Sequence, residues 1–270
     1  MHPIEPSHLP QLRRISRIMT NVARSAREVE LKGVFALPEF CGWCGAPVEG
    51  YELCFNCKEV RDHTERSLLP DNIGLLTYAI HGTQSAADAY SYKDGGASNE
   101  SLSRLKILVN FFILYHSGCF RLATGMRVDA LAHVPSGKGR TPHPLETQIM
   151  KLFPEDQLTP IRLHPRGTAR TEGREEAVDP ERHEVLDDVN GRHVLLLEDT
   201  WVRGYSALSG VAALKQAGAA SVSLLALTRY LRSSFPATQQ WLAGQEELAA
   251  YDPRFCPVTR SFSCPGADSP

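Results

Sequence analysis

Hydrophobic and polar positions change period several times along the chain, and each change marks an element. From Leu12 to Leu31, Leu12, Ile15, Ile18, Met19, Val22 and Ala26 recur at helical spacing, opposite Arg13, Arg14, Arg17, Arg24 and Arg27. That pattern predicts a basic amphipathic helix, which either docks its apolar stripe on the protein or contacts nucleic acid or an acidic partner. Leu75 to Ile80 reads as a strand, Leu102 to His116 as a strongly apolar helix, and Val128 to Pro135 as a second strand. Val194 to Leu197 is an uninterrupted apolar run, as expected of a strand buried on both faces of a parallel sheet. Beyond Ser206, Leu208, Val211, Ala212 and Leu214 return to helical spacing, and Gly218 is placed to end that helix. Val222 to Leu227 then forms another apolar run, so this region reads strand, loop, helix, strand.

Between these elements lie weaker stretches. Residues 1–10 contain prolines and histidines and are expected to be disordered. Leu163 to Arg192 is dominated by Arg, Glu, Asp, Gly and Thr, cannot bury much, and reads as a mobile lid or a plain linker. A helical stretch near Gln239 to Ala250 precedes the C-terminal tail.

The composition is that of a globular protein: 270 residues, 42% hydrophobic and 22% charged, enough for one core and an accessory module. A net charge of −2 gives no global attraction to nucleic acid or membrane. The longest apolar run, Ile107 to Tyr115, is interrupted by Asn110 and too short for a membrane span. The N-terminus lacks the apolar core of a signal peptide, so a cytoplasmic location is expected. In that compartment cysteines serve more often as metal ligands or core residues than as disulfides.

Cys41-Gly-Trp-Cys44 and Cys54-Phe-Asn-Cys57 form two C-x-x-C knuckles separated by nine residues. Such a pair brings four thiolates into one tetrahedral shell, the arrangement zinc prefers, although an iron centre uses the same ligands. A closed four-cysteine shell has no open position for substrate, so the metal is read as structural. Cys119 is assigned to the core. Cys256 and Cys264, each beside a proline, are read as structural or incidental, because nothing supplies further ligands at a recognisable spacing.

Two loops suit an anion. After the apolar run come Glu198 and Asp199, then Thr200 through Ser206 with Gly204 inside, then a helix. A loop between strand end and helix start offers backbone N–H groups and the positive end of the helix dipole, and glycine permits close approach. Carboxylates at the strand end can accept ribose hydroxyls or hold a divalent cation, so a sugar phosphate is the candidate ligand. The alternative is a βαβ unit whose acids merely face solvent. The second loop, Ser136-Gly137-Lys138-Gly139-Arg140, combines two glycines with two cations and is either an anion site or a surface turn. Neither a nucleotide P-loop nor a dinucleotide fingerprint occurs in the chain.

The apolar run, the two acids, the loop with its glycine and the hydroxyl of Ser206 resemble the PRPP-binding motif of type I phosphoribosyltransferases. The resemblance implies that Glu198 and Asp199 hold ribose hydroxyls, with magnesium accompanying PRPP. It assigns Thr200, Val202, Arg203, Gly204, Tyr205 and Ser206 to the 5-phosphate. The family's loop carries two threonines before its glycine, where this chain has Val202 and Arg203; Arg203 either grips a phosphate or fills the pocket and abolishes turnover.

Together with the four-cysteine module, the Lys93 turn and Val134-Pro135 before the basic loop, these features resemble the ComF family of competence-associated, phosphoribosyltransferase-like proteins. The resemblance runs from about Leu37 to Arg229 and assigns Ser136 to Arg140 to pyrophosphate. The implied architecture is an α/β, parallel-sheet, type I phosphoribosyltransferase-like domain over 71–233 with a small zinc ribbon over 39–70. A basic helix over 1–38 precedes the ribbon and a tail over 234–270 follows the domain. The implied function is binding of PRPP or ribose 5-phosphate with magnesium, with ribosyl transfer to an unidentified acceptor. The alternative is a non-catalytic accessory protein for DNA uptake or processing, with single-stranded DNA or competence proteins as partners. A homodimer is left open.

Overall fold

The computed structural model describes residues 40–93, 99–136, 142–154, 156–166, 177–243 and 251–265. The basic helix expected over 12–31 lies outside them, as do Gly137 to Arg140 and the centre of the polar segment, 167–176.

After the paired cysteines, helix α1 spans Phe55–His63. Strand β1 (Asn72–Ile80) leads into helices α2 (Gln84–Ser91), α3 (Asn99–His116) and α4 (Cys119–Thr124). Strands β2 (Ala130–His133), β3 (Thr159–Ile161), β4 (Leu163–Pro165) and β5 (His183–Val185) follow. Then come β6 (His193–Trp201), helix α5 (Tyr205–Gln216), β7 (Ser221–Leu231) and helix α6 (Pro236–Ala243). The protein is α/β: β1, β7, β6, β2 and β3, in that spatial order, form one five-stranded sheet in which every pairing is parallel. Strands β4 and β5 form a separate antiparallel pair.

The apolar runs are continuous because the sheet is covered on both faces. Ala130, Ala132, Val194, Leu196, Val222 and Leu224 pack with Leu208, Val211 and Leu214 of α5. Their neighbours Leu131, Leu195, Leu197, Leu225 and Leu227 pack with Leu105, Leu108, Val109 and Phe112 of α3 on the opposite face. Each leucine, valine or phenylalanine among them that is taken fully out of water contributes about 1.5–3 kcal/mol. The cysteine module shares the first of these cores: Cys41, Cys44, Leu53 and Cys57 belong to it, and Phe40 meets Trp241 of α6 edge-on at 5.5 Å. Gly218 ends α5 with φ +101°; its N–H reaches the Lys215 carbonyl and Ala219 N–H reaches that of Leu214, a Schellman closure.

The connections place the site. Strand β2 leads to β3 on one side of the sheet, whereas β6 leads to β7 on the other. The winding therefore reverses between β2 and β6, and in open α/β sheets ligands bind outside the carboxyl ends of strands at such a reversal. His133 is in register with Leu197, and Val134 N–H bonds to the Leu197 carbonyl at 2.9 Å. The chain leaving β2 towards Ser136 thus runs beside Glu198 and Asp199.

Candidate functional site

The two acids stand at the carboxyl end of β6, and their carboxyls meet there, each acting directly on the other. Asp199 points towards the turn that follows α2. Its Oδ2 accepts a hydrogen bond from Tyr92 Oη at 2.5 Å, pairs with Lys93 Nζ at 2.8 Å and lies 3.8 Å from His143 Nε2. The His143 ring is oriented by Leu145 N–H, which donates to Nδ1 at 3.1 Å, and it stacks on His133. Burial by itself would raise the Asp199 carboxyl, but the Lys93 charge and the hydrogen bonds from Lys93 and Tyr92 outweigh it and hold the group below its ordinary value.

Tyr92 and Lys93 follow directly on α2, and α2 is fastened by a buried cluster. Arg104 grips both oxygens of Asp88, at 2.5 and 2.6 Å, while Ser101 and Gln84 donate to Asp88 Oδ1. The Lys93 turn is therefore held rigidly over the acid pair.

Glu198 is different. Its Oε1 accepts from Thr200 N–H at 3.3 Å, but Oε2 is buried with no hydrogen-bond partner among the described residues. Burial and the Asp199 charge push this carboxyl well above its ordinary value, against the pull of Lys93. A buried oxygen without a partner is the mark of a group that expects a donor or a cation.

Thr200 and Trp201 belong to β6, in register with Thr228 and Arg229. The loop is thereby shortened to Val202, Arg203 and Gly204, with Val202 and Arg203 exposed. Gly204 starts α5 at φ +85°, and no side chain caps the helix. A Cβ there would lie 2.5 Å from Trp201 Cε2 and Cζ2, so the close approach that glycine permits is to the buried indole. Tyr205 and Ser206 form the first turn, half-buried. His183 of β5 lies behind it, with Nε2 3.3 Å from the Ser206 carbonyl. Ser136 is half-buried, and the remaining four residues of the basic loop lie outside the described residues.

The four-cysteine group stands behind this loop. The Sγ atoms of Cys41, Cys44, Cys54 and Cys57 lie within 4.8 Å of one another, and such a group can hold a zinc ion. The first knuckle closes through Cys41 N–H to the Ala46 carbonyl and Gly45 N–H to the Cys41 carbonyl, with Gly45 at φ +63°. Tyr78 Oη donates to the Gly45 carbonyl at 2.5 Å and fixes the knuckle on β1. Hydrogen bonds from the Cys41, Cys54 and Cys57 thiols, backed by the Arg229 charge, hold Cys44 well below the usual thiol range.

The chain matches no protein-family model and no curated protein. Asp199 is the partner of Lys93, and three further residues enter: Tyr92, His143 and Arg229. Of these, Arg229 has a visible signal, as the one charged residue in a mainly apolar strand.

Proposed function

We propose that this protein binds PRPP or ribose 5-phosphate together with magnesium, as a phosphoribosyltransferase-like protein. The observation that carries this reading is the unpartnered, buried Glu198 Oε2 beside Asp199, at the carboxyl end of a strand where the sheet reverses its winding. Glu198 and Asp199 take the ribose hydroxyls, and their hard oxygens suit magnesium, which when bound neutralises pyrophosphate charge. The backbone of Val202 to Ser206, opening onto the uncapped α5, takes the 5-phosphate. The loop from Ser136 to Arg140 takes the pyrophosphate.

In the transfer reaction an acceptor forms a bond to the anomeric carbon while the bond to pyrophosphate breaks and pyrophosphate leaves. The protein's share is positioning and charge stabilisation. Lys93, Tyr92 and His143 keep Asp199 ionised and oriented. Calorimetry of the whole chain with PRPP and magnesium tests the reading. The native protein should bind, and Asp199→Asn should weaken binding at least tenfold with the fold retained. No heat from the native protein would defeat it.

A second reading, a non-catalytic accessory protein acting on single-stranded DNA, draws support from the ribbon. Tyr51 and Phe55 stand there 70% and 76% exposed, as stacking platforms do. It requires binding that weakens steeply with salt, and no binding at low salt removes it.

A further inference from the structure

We propose that His116, Cys119, Cys256 and Cys264 bind a second zinc ion, one that staples the C-terminal tail to the body of the protein. The ligand atoms of these four residues lie within 4.8 Å of one another, although Cys119 and Cys256 are 137 positions apart in the chain. His116 ends α3 and Cys119 begins α4, while the other two cysteines come from the tail.

The separations are those of a tetrahedron's edges. Zinc–sulfur and zinc–nitrogen bonds of ordinary length place two thiolates about 3.8 Å apart and a thiolate about 3.6 Å from an imidazole nitrogen. Cys119 Sγ lies 3.7 Å from Cys256 Sγ, and His116 Nδ1 lies 3.7 Å from Cys119 Sγ and 3.5 Å from Cys264 Sγ. The other ring nitrogen, His116 Nε2, faces the Pro253 carbonyl at 2.9 Å. That contact makes Nε2 the protonated nitrogen and turns the Nδ1 lone pair towards the three sulfurs, the usual support of a metal-bound histidine.

The backbone gives an independent argument, because the turn at Cys256 repeats the turn at Cys41. In the first knuckle Cys41 N–H bonds to the carbonyl five residues on, Gly45 N–H bonds back to Cys41, and Gly45 has positive φ. In the tail Cys256 N–H bonds to the Ser261 carbonyl, Arg260 N–H bonds back to Cys256, and Arg260 has φ +53°, the single positive value among described non-glycine residues. This knuckle aims Cys256 Sγ as the first aims Cys41. Where the first knuckle has Cys44, the second has Thr259, and Cys264 supplies the missing thiolate. All seven cysteines are free thiols. Three thiolates and an imidazole in tetrahedral array favour zinc, and four protein ligands leave no open position, so the ion is structural.

The staple ties the two metal sites together. The Pro257 carbonyl accepts Leu75 N–H of β1 at 3.1 Å, covering part of an edge strand. The Arg260 guanidinium donates to the carbonyls of Cys41 and Gly42 in the first knuckle. Neither contact depends on the sugar-phosphate reading.

Metal analysis of the purified full chain tests the proposal. Two zinc ions per chain are expected, falling to one in Cys264→Ser. One zinc per chain, lost in Cys44→Ser and unchanged in Cys264→Ser, would overturn it, as would a Cys119–Cys256 disulfide found by mass spectrometry in the native chain. His116→Cys keeps four ligands and so guards against misfolding. The cobalt-substituted variant should retain two metals, with half the spectrum shifted from a three-sulfur to a four-sulfur pattern. An unshifted spectrum would also overturn the proposal.

Discussion

Arg229 touches Cys44 twice, donating from Nε to its carbonyl at 2.6 Å and placing Nη2 3.6 Å from its Sγ. The same guanidinium donates from Nη1 to the carbonyls of Trp201 and Val202, each at 3.0 Å. One buried side chain therefore joins the four-cysteine ribbon to the loop that follows the acid pair. The ribbon is a prop for that loop as well as a fold-stabilising module.

Arg229→Met should expose that dependence. It leaves the carbonyls of Cys44, Trp201 and Val202 without this donor and should cost about 3–5 kcal/mol, read by urea denaturation. Zinc should also pass faster to a chelator. Native stability and native chelation kinetics in this variant would contradict the coupling.

Gly204→Ala tests why glycine stands there. The positive φ alone costs about 1–3 kcal/mol, and the added methyl meets the Trp201 indole. Shrinking the indole in Trp201→Leu should recover part of the second cost and none of the first. A double-mutant cycle should therefore show coupling of at least about 0.5 kcal/mol. Strict additivity would mean that the two residues do not share the space.

Glu198→Gln should make the unliganded protein more stable and the binder worse. Burial and Asp199 raise this carboxyl, so ionising it in the fold is unfavourable, and that cost grows as pH climbs above the ordinary glutamate value. Removing the charge should add about 0.5–2 kcal/mol at neutral pH, seen as a higher melting temperature, while affinity for PRPP with magnesium falls. A variant that loses stability at neutral pH would refute the assignment of strain to Glu198.

His183 gives a pH signature. Burial, only partly opposed by its contact with the Ser206 carbonyl, lowers its pKa from 6.5 to about 4, and Nδ1 has no partner among the described residues to receive a proton's charge. Between those values the unfolded chain takes up a proton that the folded one refuses. The contribution of neutral His183 is thus complete above about pH 6.5 and lost as pH falls towards about 4, a loss of order 3 kcal/mol. His183→Gln should flatten stability against pH across this window. An unchanged slope would show that His183 titrates normally.

The parts of this structure legible in sequence are those set by local pattern. The apolar run at Val194 to Leu197, the glycine closure at Gly218 and the two C-x-x-C knuckles each declare themselves within a few residues. Strand β6 outruns its hydrophobic signal because pairing with β7 carries it on through Trp201, which local hydropathy does not encode. Helix α2 was not expected, since its short Ala- and Ser-rich stretch has no clear apolar period; it folds against β1 and α3. Cys256 and Cys264 looked solitary because their companions, His116 and Cys119, lie more than a hundred residues away. The partners of Asp199 and Cys44 are equally distant in sequence.

A crystal structure of the full chain with ribose 5-phosphate and magnesium tests the central claim most directly. The account predicts sugar hydroxyls on Glu198 and Asp199, with the phosphate over the amides of Gly204 to Ser206. A ligand bound elsewhere, or a saturating soak that leaves Glu198 Oε2 without a partner, would contradict it.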